Sequence, residues 1–593
     1  MPPHTDRLSA RQHVRSLASL VREVFRTRDG AFLLLALLVG LLAGGLTLLQ
    51  EHQAHALQDW WYRLPDQTVH LSALPHVAPP LLLALPLCGL LVGLIGLYAH
   101  RRRRQLVDVV EANALHGGRM SMRDNLIVSA QTLLSNGSGA SVGLEAAYAQ
   151  MGAGAGSQLG RVLRLRRADI RTLVGTGAAA AVAAAFDAPL AGAFYGFEVV
   201  IGAYSPAALA PVAVAVLGTV AVRAALGEQL PMLPAPAGIG LEFEDYALYA
   251  LIGVASALVG VAVMRLVGLI ESGVKHSGLP SWLRPAIGGL LLIPLAMVTP
   301  QVMSAGHGAQ HLDLTVQQPL QWLAILLVLK CLASAISLGF GFRGGLSFAS
   351  LFTGTLLGAV FAKLAALVLG QPPLNEIGAA LIGMAALSAA IVGAPMTMAM
   401  LVLESTHDFA LTSAAIAAAL VASTVTRRIF GYSLSTWRFH LRGADIKSAR
   451  DIGWVHTLTA GSMMQRAPEI LPATLTVAQA RQQLPLGSVP RVVLVDEHQH
   501  YAGIVVLADL YADRVKPEAP VQDYAQNRDV ALPAHADALA TMRHFDTTQS
   551  DELAVVDGDG HVLGVLSERF VRKRYAEELE RRQRELLGER VDV

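Results

Sequence analysis

Between residues 31 and 425 apolar positions come in long blocks with few charges, whereas beyond residue 451 they come in short runs separated by polar turns. The block AFLLLALLVGLLAGGLTLL, Ala31 to Leu49, is long enough to cross about 30 Å of hydrocarbon as a helix, and Leu81 to Tyr98 is a second such block. Further apolar segments follow at 125–160, 171–200, 204–225, 246–268, 285–299, 318–340, 350–369 and 377–425, cut by Gly and Pro. Several are too short or too interrupted for simple spans. Irregular backbone is tolerated at membrane depth only where protein buries it or a watery cavity meets it. The pattern therefore predicts an all-α polytopic membrane protein with broken helices. After residue 451 the period changes: a helix-like stretch near Ala478 to Gln483 is followed by strand-like RVVLVD and AGIVVLADL, then ALATMRHF and ELAVVDGDGHVLGVLSERF repeat the order. That alternation predicts an α/β unit of two similar modules. The Arg- and Glu-rich stretch from Val571 to Arg590 reads as a solvent-exposed helix.

Composition agrees with a bilayer. Only 15% of the 593 residues are charged and 53% are hydrophobic, with mean hydropathy +0.46, against about 25% charged in soluble domains. A formal net charge of +1 gives no case for a nucleic-acid partner. Basic residues flank the first two blocks: Arg7, Arg11, Arg15, Arg22, Arg26 and Arg28 before the first, and Arg101 to Arg104 after the second. The positive-inside tendency puts both on the cytoplasmic side and the loop with Trp60, Trp61 and Tyr62 outside. The first block carries no obvious cleavage signal and reads as a retained span. Cys88 and Cys331 lie in separate apolar stretches and read as small core residues, not a disulfide. The nineteen histidines are scattered, no metal-ligand cluster stands out, and no nucleophile with its base is visible, so an enzyme is not expected and no cofactor is required.

Two segments echo each other. AAAFDAPLAGAFYGFE ends at Glu198, nine residues after Pro189, and SAAIVGAPMTMAMLVLE ends at Glu404, nine residues after Pro395. Ala-Pro with a carboxylate at one fixed offset predicts a duplicated unit, and paired repeats with broken helices put a transport site where the halves meet.

The glycine-rich run SNGSGASVGLEAAYAQMGAG, Ser135 to Gly154, carries a single carboxylate, Glu145, inside this apolar region. Burying a carboxylate in a membrane costs about several kcal/mol, so such an acid meets an ion, a proton path or a partner. Gly137, Gly139 and Gly143 crowd before it and leave backbone amides exposed, as a turn entering a helix does. Free N–H groups at a helix start attract anions and hold a carboxylate when no anion is there. Glu145 thus reads as a tethered competitor for an anion, released on protonation.

The ordered set of motifs over roughly residues 30–445 resembles the CLC family of chloride channels and proton/chloride antiporters. Gly143-Leu144-Glu145 stands at the family's Gly-x-Glu-Gly-Pro motif, with Ala146 and Ala147 where Gly-Pro is usual, and Gln150, Gly152 and Ala153 continue it. Asp187 to Glu198, Gly306 to Gly308, Lys330, Arg343 to Gly358, and Gly393 to Thr397 with Glu404 follow in family order. The resemblance implies a homodimer of subunits that each have an anion path built from two inverted repeats. It makes Glu145 the external gating glutamate and assigns anion binding to backbone at or near Gly143, Leu144, Gly345, Leu346, Ser347 and Phe348. Ser347 replaces the usual Phe and Ala349 the usual Pro. The Gly-Ser-Gly-x-Pro loop is not recognisable; aligning Val109 to Ala112 places Arg104 near its serine. Ser435 falls at the late pore tyrosine, with Tyr432 a nearby alternative. Selectivity then rests on backbone amides or on a wider inner constriction.

Val199 stands where many antiporters of the family carry a second glutamate for internal proton transfer. Valine cannot shuttle a proton, so a passive chloride or small-anion channel gated by Glu145 is favoured over a proton-coupled antiporter with a non-standard internal route; Glu198 reads as a structural hydrogen-bond acceptor. A cation transporter with similar C-terminal modules is the remaining alternative and predicts several intramembrane carboxylates converging on one site. The C-terminal modules resemble a tandem pair of CBS domains, which implies a cytoplasmic unit and an adenine nucleotide as ligand, with Asp509 at the ribose-contacting position and Glu568 at its counterpart. The expected division is a cytoplasmic segment 1–30, a transport domain 31–445, the CBS pair 446–586 and a tail 587–593, in a multi-pass protein contacting lipids in a bacterial inner membrane.

Overall fold

The computed structural model describes residues 29–66, 69–101, 106–227, 243–370, 372, 374–434, 437 and 458–587; the basic run at 1–28, Arg104, Ser435 and the last residues, 588–593, lie outside the described residues. The chain divides into two units, Met1–Asp451 and Ile452–Val593.

In the first unit the helices run α1 Asp29–Tyr62, α2 Ala84–Arg101, α3 Val109–Ala114, α4 Met122–Gly137, α5 Glu145–Val162, α6 Arg167–Phe186, α7 Pro189–Tyr195 and α8 Pro206–Leu226. They are answered in the same order by α9 Phe243–His276, α10 Arg284–Val298, α11 His307–Thr315, α12 Leu320–Gly339, α13 Ser347–Leu369, α14 Glu376–Val392, α15 Pro395–Thr406 and α16 Phe409–Ile429. The duplication therefore extends over the whole membrane unit. Blocks that look continuous in sequence break where backbone chemistry demands it: 125–160 is two helices parted by the Gly-Ser segment before Glu145, and 377–425 is three, parted at Gly393, which has φ of 83°, and at His407, with φ of 55°.

Among the described residues eight helices are long and apolar enough to cross a membrane. Their outward faces are apolar, with Leu38, Leu91, Leu217, Leu258, Val328 and Leu367 exposed. Water would penalise that arrangement and lipid does not. Inside, small residues let helices approach backbone to backbone. A Cβ on Gly152 of α5 would overlap the Gly177 carbonyl of α6, and a Cβ on Gly354 of α13 would overlap the Gly383 carbonyl of α14. Each glycine lies seven residues into its helix, so close packing is repeated with the fold.

The second unit holds two sheets. In one, β2 (Ile470–Pro472) pairs parallel with β3 (Arg491–Val495), which pairs antiparallel with β4 (Tyr501–Val506). In the other, β5 (Leu532–Pro533) pairs parallel with β6 (Glu552–Val556), which pairs antiparallel with β7 (Val562–Ser567), and β1 (Gln465–Arg466) edges β7. The helix expected near Ala478 to Gln483 spans Val477–Gln483, and the charged terminal helix spans Glu568–Leu587. The register shifts at Leu494/Val495 and again at Val555/Val556, the same point in both hairpins, which marks them as copies of one module. Their tips meet at the bridge His500–His561, and Val493, Ile504 and Ala554 close the core between the sheets. This repeated arrangement is that of a CBS pair.

Candidate functional site

The two halves join at paired helix starts. α5 begins after Leu144, with φ −88° and ψ −8°, and α13 begins after Leu346, with φ −97° and ψ −4°. Gly143 N donates to Gly345 O at 2.9 Å, and Gly345 N returns a bond to Gly143 O at 3.3 Å. This short antiparallel bridge places two helix N-termini against one small volume, and each carries about half a positive charge. Glu145, only 4% exposed, fills the volume. Its Oε1 accepts from Ser347 N at 2.6 Å and from Phe348 N at 3.4 Å. Its Oε2 is buried and has no hydrogen-bond partner among the described residues. A carboxylate held by amides, with one oxygen left without a donor, occupies the place of an anion. Either bridge glycine would displace it if it carried a side chain, since a Cβ on Gly143 or on Gly345 overlaps the Glu145 carboxylate.

The six positions expected near an anion thus come together with two roles. Ser347 and Phe348 supply amides, while the amides of Gly143 and Gly345 are taken up by their bridge and form its wall. Leu144 and Leu346 are the buried capping positions of the two helices. Phe348 stacks on Phe186 at 4.1 Å between ring centres and lies 4.6 Å from the His307 ring. Gly306 caps α11 with φ of 97°, where a Cβ would press on Phe352. Lys330, fully buried, donates to Val302 O at 3.1 Å and Ser304 O at 2.9 Å, tying down the turn before α11.

Val199 is buried in a π-helical turn, Gly196–Ile201, and packs with Ala149, Ala153 and Val109, so its surroundings are apolar. Asn113 Nδ2 donates to Val200 O at 2.7 Å and fastens α3 to this turn. Next to Val199, Glu198 accepts four hydrogen bonds: at Oε1 from Met396 N (3.1 Å) and Tyr204 OH (2.9 Å), and at Oε2 from Thr397 N (2.9 Å) and Thr397 Oγ1 (2.7 Å). A carboxylate has about four acceptor positions. Glu198 is therefore a saturated acceptor at the start of α15. Glu404 does the same for the other repeat, accepting from Leu190 N at 2.7 Å and Ala191 N at 2.9 Å at the start of α7. Each repeat thus ends its short Pro-led helix with a carboxylate that caps the short helix of the other. The equal offset of the two acids from Pro was visible in sequence; the exchange was not.

Tyr432 is half-buried just beyond α16. Asp509 is exposed in the short helix Leu507–Leu510 that follows β4. Glu568, at the matching end of β7, accepts from Arg572 Nε at 2.6 Å.

A family model described as voltage gated chloride channel matches residues 88–427. The chain belongs to this family, the CLC proteins, and is a multi-pass membrane protein. A putative chloride channel protein, ClcB-like, of Ralstonia nicotianae is 33% identical over 62% of this chain and 87% of its own length. The voltage-gated ClC-type chloride channel ClcB of an Escherichia coli O81 strain is 28% identical over 67% of this chain and 96% of its own. Among solved structures, a slow cyanobacterial Cl−/H+ antiporter superposes with a TM-score of 0.61 at 22% identity, covering 69% of this chain and 97% of that one. A eukaryotic CLC transporter superposes with a TM-score of 0.58 at 16% identity over 93% of this chain and 98% of that one, so the shared fold takes in both units.

Proposed function

We propose that the protein is a passive channel for chloride and similar small anions, gated by the side chain of Glu145. The observation that carries this reading is the carboxylate seated on the Ser347 and Phe348 amides between two helix N-termini, with its second oxygen lacking a donor. An anion arriving there finds the same amides, and the carboxylate must leave or take up a proton to admit it. The passive part rests on the region toward the inner mouth. Val199 supplies no proton acceptor, and Glu198 beside it has its acceptor positions filled.

Arg104 and either Ser435 or Tyr432 are assigned to the inner pore in place of the usual hydroxyl donors. That assignment makes the channel tolerant of anions other than chloride. The protein works as a homodimer in a bacterial inner membrane, with the N-terminus and the CBS pair in the cytoplasm, and Asp509 contacts the ribose of an adenine nucleotide; titration of the purified protein with ATP, compared with Asp509→Ala, tests that contact.

Flux from proteoliposomes under a chloride gradient, with an external pH probe and Glu145→Gln alongside, tests the central claim. Passive chloride flux without proton movement, altered in the variant, is expected. Chloride-driven uphill proton movement lost in Glu145→Gln would establish an exchanger instead. Cation flux without anion flux would reject the anion path altogether.

A further inference from the structure

Three histidines far apart in the sequence converge beside the gate. His55 lies in the last third of α1, His70 immediately precedes the 3-10 turn Leu71–Ala73, and His307 is the first residue of α11. The His55 and His70 rings are 5.9 Å apart between centres and the His70 and His307 rings 6.1 Å. We propose that His55, His70 and His307 form a binding site for a divalent transition-metal ion of the zinc class at the mouth of the Glu145 path.

Spacing is the first support. Imidazole nitrogens bind zinc at about 2.0–2.1 Å, which places the metal about 3 Å from each ring centre and two ligand rings roughly 5 to 6 Å apart. His70, in the middle, has both neighbours at such a separation. The second support is independent: Nε2 of His55 is buried and has no hydrogen-bond partner among the described residues. A buried ring nitrogen left without a partner is unfavourable unless something absent from the bare protein completes it, and its nearest ring neighbour is His70.

The convergence is built into the backbone. Leu71 is fully buried, Ser72 Oγ accepts from Ala309 N at 3.3 Å, and a Cβ on Gly308 would come within 2.8 Å of the Cβ atoms of both His70 and Ala73. Glycine at 308 is what lets the His70 turn lie against α11. One turn beyond His307, His311 also acts on His70 and offers a further imidazole. A set of imidazoles suits zinc, copper or nickel, whereas magnesium and calcium require oxygen ligands.

The position gives the site a consequence. His307 touches Phe348, whose amide holds Glu145. A divalent cation here favours the ionised, seated carboxylate and ties the His70 turn to α11, so it slows anion passage. This effect rests on the anion-path reading above; metal binding itself does not. In the orientation proposed above, the site faces outward.

The test is Zn2+ titration of the purified full-length protein by calorimetry. It is done in a His561→Gln background, because Asp557, Asp559 and His561 in the C-terminal unit also bring three ligand atoms within 4.8 Å of one another. One Zn2+ per chain is expected, weakened about tenfold or more in His70→Gln and likewise in His55→Gln, with Mg2+ giving no signal. His55→Gln, on a separate element, guards against a His70 turn that fails to fold. Equal Zn2+ affinity in the parent and both variants would overturn the site. External Zn2+ should also slow chloride flux in the parent and not in His70→Gln; equal slowing in both would overturn the placement at the mouth. A sample with no anion flux at all would reject the channel reading, while the calorimetry would still decide the metal site.

Discussion

The exchanged carboxylates Glu198 and Glu404 make a quantitative prediction. Replacing Glu198 by Ala removes four hydrogen bonds and strands two backbone amides at the start of α15, together with the hydroxyls of Thr397 and Tyr204. Hydrogen bonds to a charged group contribute about 1.5–3 kcal/mol each, and a buried donor left unsatisfied costs about 1–3 kcal/mol. The Tyr204 hydroxyl is on the exposed side and regains water, so the sum is not taken in full; the net loss is about 3–5 kcal/mol. Glu404→Ala strands two amides, of which the Leu190 N–H is exposed, and costs about 1–2 kcal/mol. Thr397→Val removes one bond and falls near 1 kcal/mol. For a unit of this size, with an unfolding entropy of about 2 cal/mol/K per residue, the Glu198 variant should melt on the order of 5 °C lower. Melting of the detergent-purified protein, followed by the loss of its gel-filtration peak after heating, reads the order. Glu198→Ala should be lowest, Glu404→Ala intermediate and Thr397→Val nearest the parent. A Glu198→Ala variant that melts with the parent, or above Glu404→Ala, would refute the assignment of the exchange as a clasp between repeats.

Other perturbations follow from single contacts. Gly345→Ala pushes a Cβ into the Glu145 carboxylate, so its chloride flux should match that of Glu145→Gln and lose its dependence on pH; retained pH gating would contradict this. Lys330→Met removes the donors to Val302 O and Ser304 O and should destabilise the turn before α11 by about 2–4 kcal/mol, read as lower yield of folded protein and a lower melting temperature. In the C-terminal unit, amides of His500 and His498 hold the Asp496 carboxyl below the usual carboxylate range, and amides of His561 and Asp559 do the same for Asp557. A depressed folded pKa adds stability that is complete above the unfolded value, about 3.9, and disappears as pH falls through the folded value. Hydrogen exchange of the two hairpin turns should therefore accelerate below about pH 4, and Asp496→Asn with Asp557→Asn should remove the acid-dependent step.

Glu145 was legible in the sequence because a lone carboxylate within a long apolar region is too costly to be incidental. The broken helices were equally legible, since glycine and proline interrupt blocks that hydrophobicity alone would have joined. The family order of motifs also pointed to Gly345–Phe348 as the partner segment. Which atoms hold the carboxylate was not legible. Gly143 and Gly345 read as amide donors, yet they bond each other, and the amides that reach Glu145 belong to Ser347 and Phe348.

Local pattern determines what each segment becomes: a helix of suitable length, a Pro-led start, a strand with its turn, a membrane-facing surface. Those outcomes depend on neighbours a few residues away, and the sequence displays them directly. The exchange between Glu198 and Glu404, the orphaned nitrogen of His55 and the meeting of His70 with His307 depend on how one repeat is turned against the other. They join residues tens to hundreds of positions apart. Sequence by itself supplied the repeats and the charged residue to be accommodated; only the tertiary structure decided which backbone amides accommodate it, because hydrogen-bond partners are selected by distance and direction in space.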